Sequence, residues 1–231
     1  MTVLTYLKLI LVRHAQSIGN AQKIMEGQSS TPLSNQGIHQ AQQLSATLHT
    51  EPALGPSVVY SSPSLRAVQT AEILTASLAQ DSYQLSSDLQ EIHQGIFQGL
   101  TWLEAQAQYP QLCHQLLNTR KWQPVPHAES PAAARNRANL WVDKIRHRHR
   151  PGEVIWAISH AGIMQQIVSV ILGCDRTWKI PIHHTARFEF WLSQTYWQSS
   201  STEPGTDLDA DQFNPEHWII HRFNDYSHLI S

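Results

Sequence analysis

Apolar residues in this chain fall into short dense runs, and between the runs they recur every three or four positions. Lys8 to Val12 (KLILV) is a run rich in branched residues, which suits a buried parallel strand. Ser57 to Tyr60 (SVVY) and Val154 to Ile158 (VIWAI) repeat the pattern, and Phe188 to Leu192 and Trp218 to Phe223 are later strands. Helical spacing fills the gaps. Ser34 is an N-cap for a helix running to about His49, with Ile38, Ala41, Leu44 and Leu48 on one face. Ser62-Pro63 reads as an N-cap followed by proline at the first helical position, ahead of a stripe of Leu65, Val68, Ala71, Leu74 and Leu78. A longer helix is predicted from about Ala132 to Arg148, ended by Pro151-Gly152. Another carries Ile163, Ile167, Val170 and Ile171 inward and stops at Gly173. Gly99 to about Trp122 is mixed helix and loop, broken by Pro124 and Pro126, and Ser199 to Asp211 is polar and reads as a mobile loop.

Strands alternating with helices predict an α/β fold: a three-layer sandwich with a mainly parallel central sheet, helices on both faces and an antiparallel edge strand near the C-terminus. No strong linker divides the 231 residues, so one domain over 1–231 is expected, with 96–130 as a cap segment over the site. The 41% hydrophobic content permits a sizeable core. A formal net charge of −2 gives the whole chain no attraction to nucleic acid or to an anionic membrane. No apolar run is long enough to span a bilayer, and the apolar start has no basic region or cleavage site, so it reads as a strand in a cytoplasmic protein. Cys113 and Cys174 form no CxxC pair and lack zinc-spaced neighbours; they read as two reduced core thiols. The basic run from Arg146 to Arg150 reads as a solvated helix end that suits the helix dipole. Trp102, Trp122 and Trp141 are expected in apolar packing, and His93 and His127 at the surface.

In open parallel sheets, ligands bind beyond the carboxyl ends of the strands. The residues immediately after each strand are therefore informative. Arg13 and His14 come after the first, Arg66 opens the helix after the second, and His160 with Ala161-Gly162 comes after the third. Two arginines, two histidines and two helix N-termini at one sheet edge suit a dianionic phosphate. No GxxxxGKS loop and no carboxylate cluster for magnesium accompanies them. A neutral imidazole is a competent nucleophile without a metal. Glu91, in DLQEIHQG, is the expected proton donor; in an apolar setting its carboxyl stays protonated.

These residues stand in LVRHAQSIGN, which resembles the signature of the histidine phosphatase (phosphoglycerate mutase-like) superfamily. EGQSSTPLSNQG, SSPSLRAVQTAE, LQEIHQGIFQGLT, PHAES and AISHAGIM come after it in the family's order, and FNDYSHL resembles its terminus, from about Lys8 to Leu229. The resemblance implies that His14 becomes phosphohistidine, that Arg13, Arg66 and His160 hold phosphoryl oxygens, and that Glu91 is acid and then base. It places Asn20, Gln28, Thr31 and Ala161 in the substrate pocket. It implies a metal-independent phosphomonoesterase acting on a small-molecule phosphate monoester, with no cofactor. Ala15 and Ala161 stand where the family usually has glycine, and His127-Ala128-Glu129-Ser130 stands where it has GGES. The alternative is a cofactor-dependent phosphoglycerate mutase primed by 2,3-bisphosphoglycerate. Mutases usually carry Arg and Tyr where Ile92 and Gln94 stand here, which favours the phosphatase. A non-catalytic phospho-ligand binder is the third reading, opposed by the intact residue set.

Overall fold

The structure is a computed structural model that describes residues 6–76, 83–119, 124–174, 180–193 and 218–230. The 199–211 loop, Trp122 and Leu78 lie outside these residues. Among the described residues, six strands form one sheet: β1 (Tyr6–Arg13), β2 (Val58–Ser61), β3 (Gln84–Leu85), β4 (Val154–Ser159), β5 (Arg187–Ser193) and β6 (Trp218–Asp225). Their order is β3-β2-β4-β1-β5-β6. Pairing is parallel from β3 to β1, while β5 pairs antiparallel with both β1 and β6. The described residues also form seven α-helices: α1 (Ile18–Ala21), α2 (Asn35–His49), α3 (Leu65–Ala76), α4 (Trp102–Gln108), α5 (Pro110–Asn118), α6 (Pro131–Arg148) and α7 (Ala161–Ile171).

The period of two along β1 builds three layers. Leu7, Leu9 and Leu11 pack with Trp141 and Ile145 of α6 and with Ile163 and Ile167 of α7. Ile10 and Val12 point to the opposite face and pack with Leu44 and Leu48 of α2 and with Ala67, Ala71 and Leu74 of α3. Both faces being covered explains why the central strands read as continuous apolar runs. Ser34 caps α2 by accepting from Gly37 N, and Ser130 caps α6 by accepting from Ala133 N. Losing either cap costs about 1 kcal/mol. The α4–α5 segment has its own small cluster around Phe97, Ala105 and Cys113, with Trp102 packed against it.

Several expectations need correction. Helix α3 begins at Leu65, not beside Pro63, because Ser62 N still bonds to Ile158 O and prolongs the sheet. Its buried side is Arg66, Ala67, Thr70, Ala71 and Leu74, whereas Leu65 is exposed. The hydrogen bonds of Arg66 rotate this helix, a term that apolar spacing does not weigh. Ile38 is likewise exposed on α2. Cys174 is only half-buried, while Cys113 is buried. The end of the basic run is not wholly solvated, since His149 turns inward to Tyr60 Oη (2.9 Å) and Glu153 Oε2 (2.6 Å).

Candidate active site

The strand order places the site. Chain leaving β1 crosses to β2 through α2 on one face, and chain leaving β4 continues into α7 on the other. The neighbouring carboxyl ends of β1 and β4 therefore diverge, leaving the crevice where such sheets bind ligands. Arg13 is in register with Ser159, and β2 ends with Ser61 beside Ile158. The next residues along, His14, His160 and Ser62, consequently meet. The imidazole centroids of His14 and His160 are 4.8 Å apart, and His160 Nε2 lies 2.8 Å from Ser62 Oγ.

His14 is buried, and its Nδ1 lies 2.7 Å from Ala15 O. A carbonyl can only accept, so Nδ1 carries the proton and Nε2 keeps its lone pair. Burial above all, then His160 and the guanidiniums of Arg13 and Arg66, hold the ring's pKa well below 6.5, so it is neutral at pH 7. His160 is held down in the same way, by burial and then by Arg66 and Arg13. Arg66 Nε–H donates towards His14 Nε2 at 3.3 Å. Its other nitrogens donate to Ser29 O (2.6 Å) and Gly27 O (2.7 Å), fixing the guanidinium plane. Arg13 Nη1 donates to Ile182 O. Arg13 Nε and His160 Nδ1 are buried and have no hydrogen-bond partner among the described residues. Unspent polar atoms beside a cavity lined by two guanidiniums are what an anion would satisfy.

The cavity has a volume of about 180 Å³. Arg13, His14, Arg66, Asn20 and Glu91 line it, and so do Met25, Glu26, Gly27 and Gln94. It is smaller than the roughly 300–1,000 Å³ of common ligand pockets, a size that suits a phosphoryl group with a compact leaving group.

Glu91 is not in the apolar setting expected of it. Its Oε1 accepts from Ile92 N (2.9 Å) and Ile163 N (3.1 Å), and its Oε2 accepts from Gly162 N (3.0 Å). The carboxyl group thus sits on the first turn of α7. A β-carbon on Gly162 would lie 2.5 Å from Glu91 Oε1, so this approach needs glycine there. The loop carrying Glu91 is held from outside by Arg137. That guanidinium donates to Asp88 O (2.8 Å) and Gln90 O (2.7 Å) and clasps both oxygens of Glu129 (2.9 and 2.7 Å). The His127–Ser130 segment therefore supports the Glu91 loop: Glu129 pairs with Arg137, Ser130 caps α6, and exposed His127 makes the turn with φ 61°.

Gln28, Thr31 and Ala161 do not line the cavity. Gln28 Nε2 donates to Glu91 O (3.1 Å), the Thr31 hydroxyl donates to Glu26, and Ala161 is the first residue of α7. Neither Ala15 nor Ala161 has positive φ, so alanine replaces the family's glycine without backbone strain. Glu26 and His184 were not anticipated. His184 Nε2 lies 3.0 Å from Asn20 Oδ1, and its ring centroid is 6.0 Å from that of His14. Burial, with Arg13 and His183 beside it, lowers its pKa to about 3. Both residues lie in loops without periodicity, and the one sequence signal was a charged Glu26 directly before Gly27.

The family profile of the histidine phosphatase superfamily, branch 1, matches residues 9–201. Phosphoserine phosphatase 1 of Hydrogenobacter thermophilus is 32% identical over 175 residues, covering 73% of this chain and 77% of its own. The metal-independent phosphoserine phosphatase of Arabidopsis thaliana is 25% identical over 225 residues, covering 97% and 84%. Among solved structures, Bacillus stearothermophilus YhfR aligns with a TM-score of 0.76 at 23% identity, over 96% of this chain and 98% of its own; that likeness is one of fold.

Proposed function

The chain belongs to the histidine phosphatase superfamily, branch 1, and from that premise we propose that it is a phosphomonoesterase that carries the phosphoryl group transiently on His14 Nε2. The observation that carries this reading is the state of His14: neutral, with Nδ1–H tied to Ala15 O and Nε2 unprotonated among arginines. In the first step Nε2 attacks phosphorus and the P–O bond to the leaving group breaks. The leaving oxygen takes a proton from the Glu91 carboxyl group. In the second step water attacks the phosphohistidine, Glu91 takes the water's proton, and inorganic phosphate leaves with His14 neutral again.

The remaining parts serve charge. Phosphorylation at Nε2 makes the ring cationic, and Ala15 O then accepts from a more acidic Nδ1–H. Arg13 and Arg66 face the equatorial oxygens, where charge spreads in the transition state. Guanidiniums supply the positive charge, so the scheme asks for no metal ion. The small cavity and the names of the two curated relatives point to a compact phosphomonoester of the phosphoserine class as substrate.

The experiment is a panel of phosphomonoesters, with phosphoserine and p-nitrophenyl phosphate included, assayed by phosphate release in EDTA for the native enzyme and for His14→Ala. Native turnover, its loss in the variant with an unchanged melting temperature, and acid-labile, base-stable labelling of the native chain are expected. Full activity in His14→Ala would sink the reading.

A further inference from the structure

The cavity that faces phosphate is not a purely cationic one. Glu26 is a buried carboxylate in its wall, 3.7 Å from Arg66 Nε. It is no stray charge. Ser17 Oγ (2.6 Å) and Asn20 Nδ2 (2.8 Å) both donate to Oε2, and the Thr31 hydroxyl donates to Oε1. Room has been cleared for it, since a β-carbon on Gly19 would lie 2.5–2.8 Å from its carboxyl end. Three donors and a glycine thus hold one negative charge inside an anion pocket.

The groups facing Glu26 come from every neighbouring element. Ser17 and Asn20 belong to α1 and its cap, Thr31 to the loop after it, Arg66 to α3, and Arg13 and His14 to the end of β1. His184 reaches it through Asn20, and Glu91 lines the same cavity. His14, His184 and neighbouring His160 are neutral at pH 7. With both carboxylates ionised, Arg13 and Arg66 are balanced by Glu26 and Glu91, and the empty pocket carries no net charge. A phosphate dianion entering it leaves two uncompensated negative charges; a monoanion leaves one.

We propose that Glu26 sets the charge state of the ligand: the pocket takes phosphate groups with one proton, either on the phosphate or picked up from water on binding. This rests on the reading that the cavity receives a phosphoryl group. Arg66 Nε is 3.3 Å from His14 Nε2 and 3.7 Å from Glu26 Oε2, which puts the carboxylate within about 7 Å of the attacking nitrogen, where one unit charge changes anion affinity by about tenfold or more. Glu26→Gln removes that charge and keeps the shape. The amide oxygen can still accept from Ser17 and Asn20, and the amide N–H can donate to the Thr31 hydroxyl once it rotates.

The test is calorimetric binding of inorganic phosphate, which needs no turnover, at about pH 5.5 and about pH 8.5, on either side of the second phosphate ionisation. Native protein is expected to bind more weakly at the higher pH by about tenfold or more, and Glu26→Gln to bind there about tenfold tighter than native. Repeating the native titration at about pH 8 in two buffers of different ionisation enthalpy is expected to show uptake of close to one proton per phosphate, a result that needs no variant. Equal or weaker binding by Glu26→Gln at the higher pH, no proton uptake, or no phosphate binding at all overturns the proposal. Turnover of p-nitrophenyl phosphate reports separately on His14: activity with no Glu26 effect fells only this inference, and Glu26-dependent binding without turnover fells only the enzymatic reading.

Discussion

Replacing Gly162 with alanine sets two physical effects against each other and separates catalytic positioning from stability. Gly162 is the second residue of α7, and its φ is not in the left-handed region. Alanine in a helix is favoured over glycine by roughly 0.8–1.0 kcal/mol, so the backbone gains from the change. The added β-carbon, however, would lie 2.5 Å from Glu91 Oε1 and 3.2 Å from Ile92 Cδ1. Such contacts are not found below 3.0 Å, so the carboxyl group must retreat by at least about 0.5 Å. Glu91 Oε1 is the end of a flexible side chain, and it can move at modest cost. The bonds of its carboxyl group, Oε2 to Gly162 N and Oε1 to Ile163 N, stretch or break, and hydrogen bonds to a charged group are worth about 1.5–3 kcal/mol each when lost outright. Partial loss offset by the helix gain leaves stability within about 1–2 kcal/mol of native. Activity has no such offset. A misplacement approaching 1 Å costs on the order of 10²-fold in rate, so kcat should fall by roughly tenfold to a hundredfold, or about 1.4–2.7 kcal/mol of barrier. The assay is kcat and KM on p-nitrophenyl phosphate beside a thermal melt. A kcat within about twofold of native, at an unchanged melting temperature, refutes the reasoning about Glu91.

Further expectations test the frame around the site. Arg137→Met strands Glu129 and frees the carbonyls of Asp88 and Gln90, at about 3 kcal/mol for the broken, mostly buried pair, so Tm should drop by roughly 6–12 °C with a further loss in kcat. Arg137→Lys should not rescue it, because an ammonium cannot make the two-pronged contact; full rescue contradicts the geometry. His14, His160 and His184 are neutral in the fold but protonate near pH 6.5 when unfolded, so the unfolded state binds more protons below that pH. Stability should therefore decline as pH falls from about 6.5 towards 4, which melts across that range will register. Conversion of 3- to 2-phosphoglycerate with 2,3-bisphosphoglycerate added should stay slower than phosphate release, since Ile92 and Gln94 offer no cation for a substrate carboxylate. The reverse ratio points to a mutase.

Much of the fold was legible because local chemistry and periodicity agree with the tertiary result. The strands at Lys8–Val12 and Val154–Ile158 are buried on both faces, and both read as unbroken apolar runs. Helix α2 begins at the serine that caps it. The phase of α3 was not legible, because a buried, hydrogen-bonded Arg66 outweighs an exposed Leu65, and a leucine in sequence carries no mark of which way it will face.

The site divides along the same line. The sequence alone determined that Arg13, His14, Arg66 and His160 end strands, come directly after them or open helices, and parallel strands deliver such residues to one edge whatever the loops do. Only the tertiary structure decided what surrounds them. It placed Glu91 on the backbone N–H groups of α7 instead of in an apolar wall, and set Arg137 and Glu129 behind its loop. It also buried Glu26 among Ser17, Asn20 and Thr31 and brought His184 to Asn20 across 164 positions of chain. Those partners are joined by loop closure, not by a repeating angle. A carboxylate in a loop looks solvated until long-range contacts take its water away, and no periodicity in the sequence records that step.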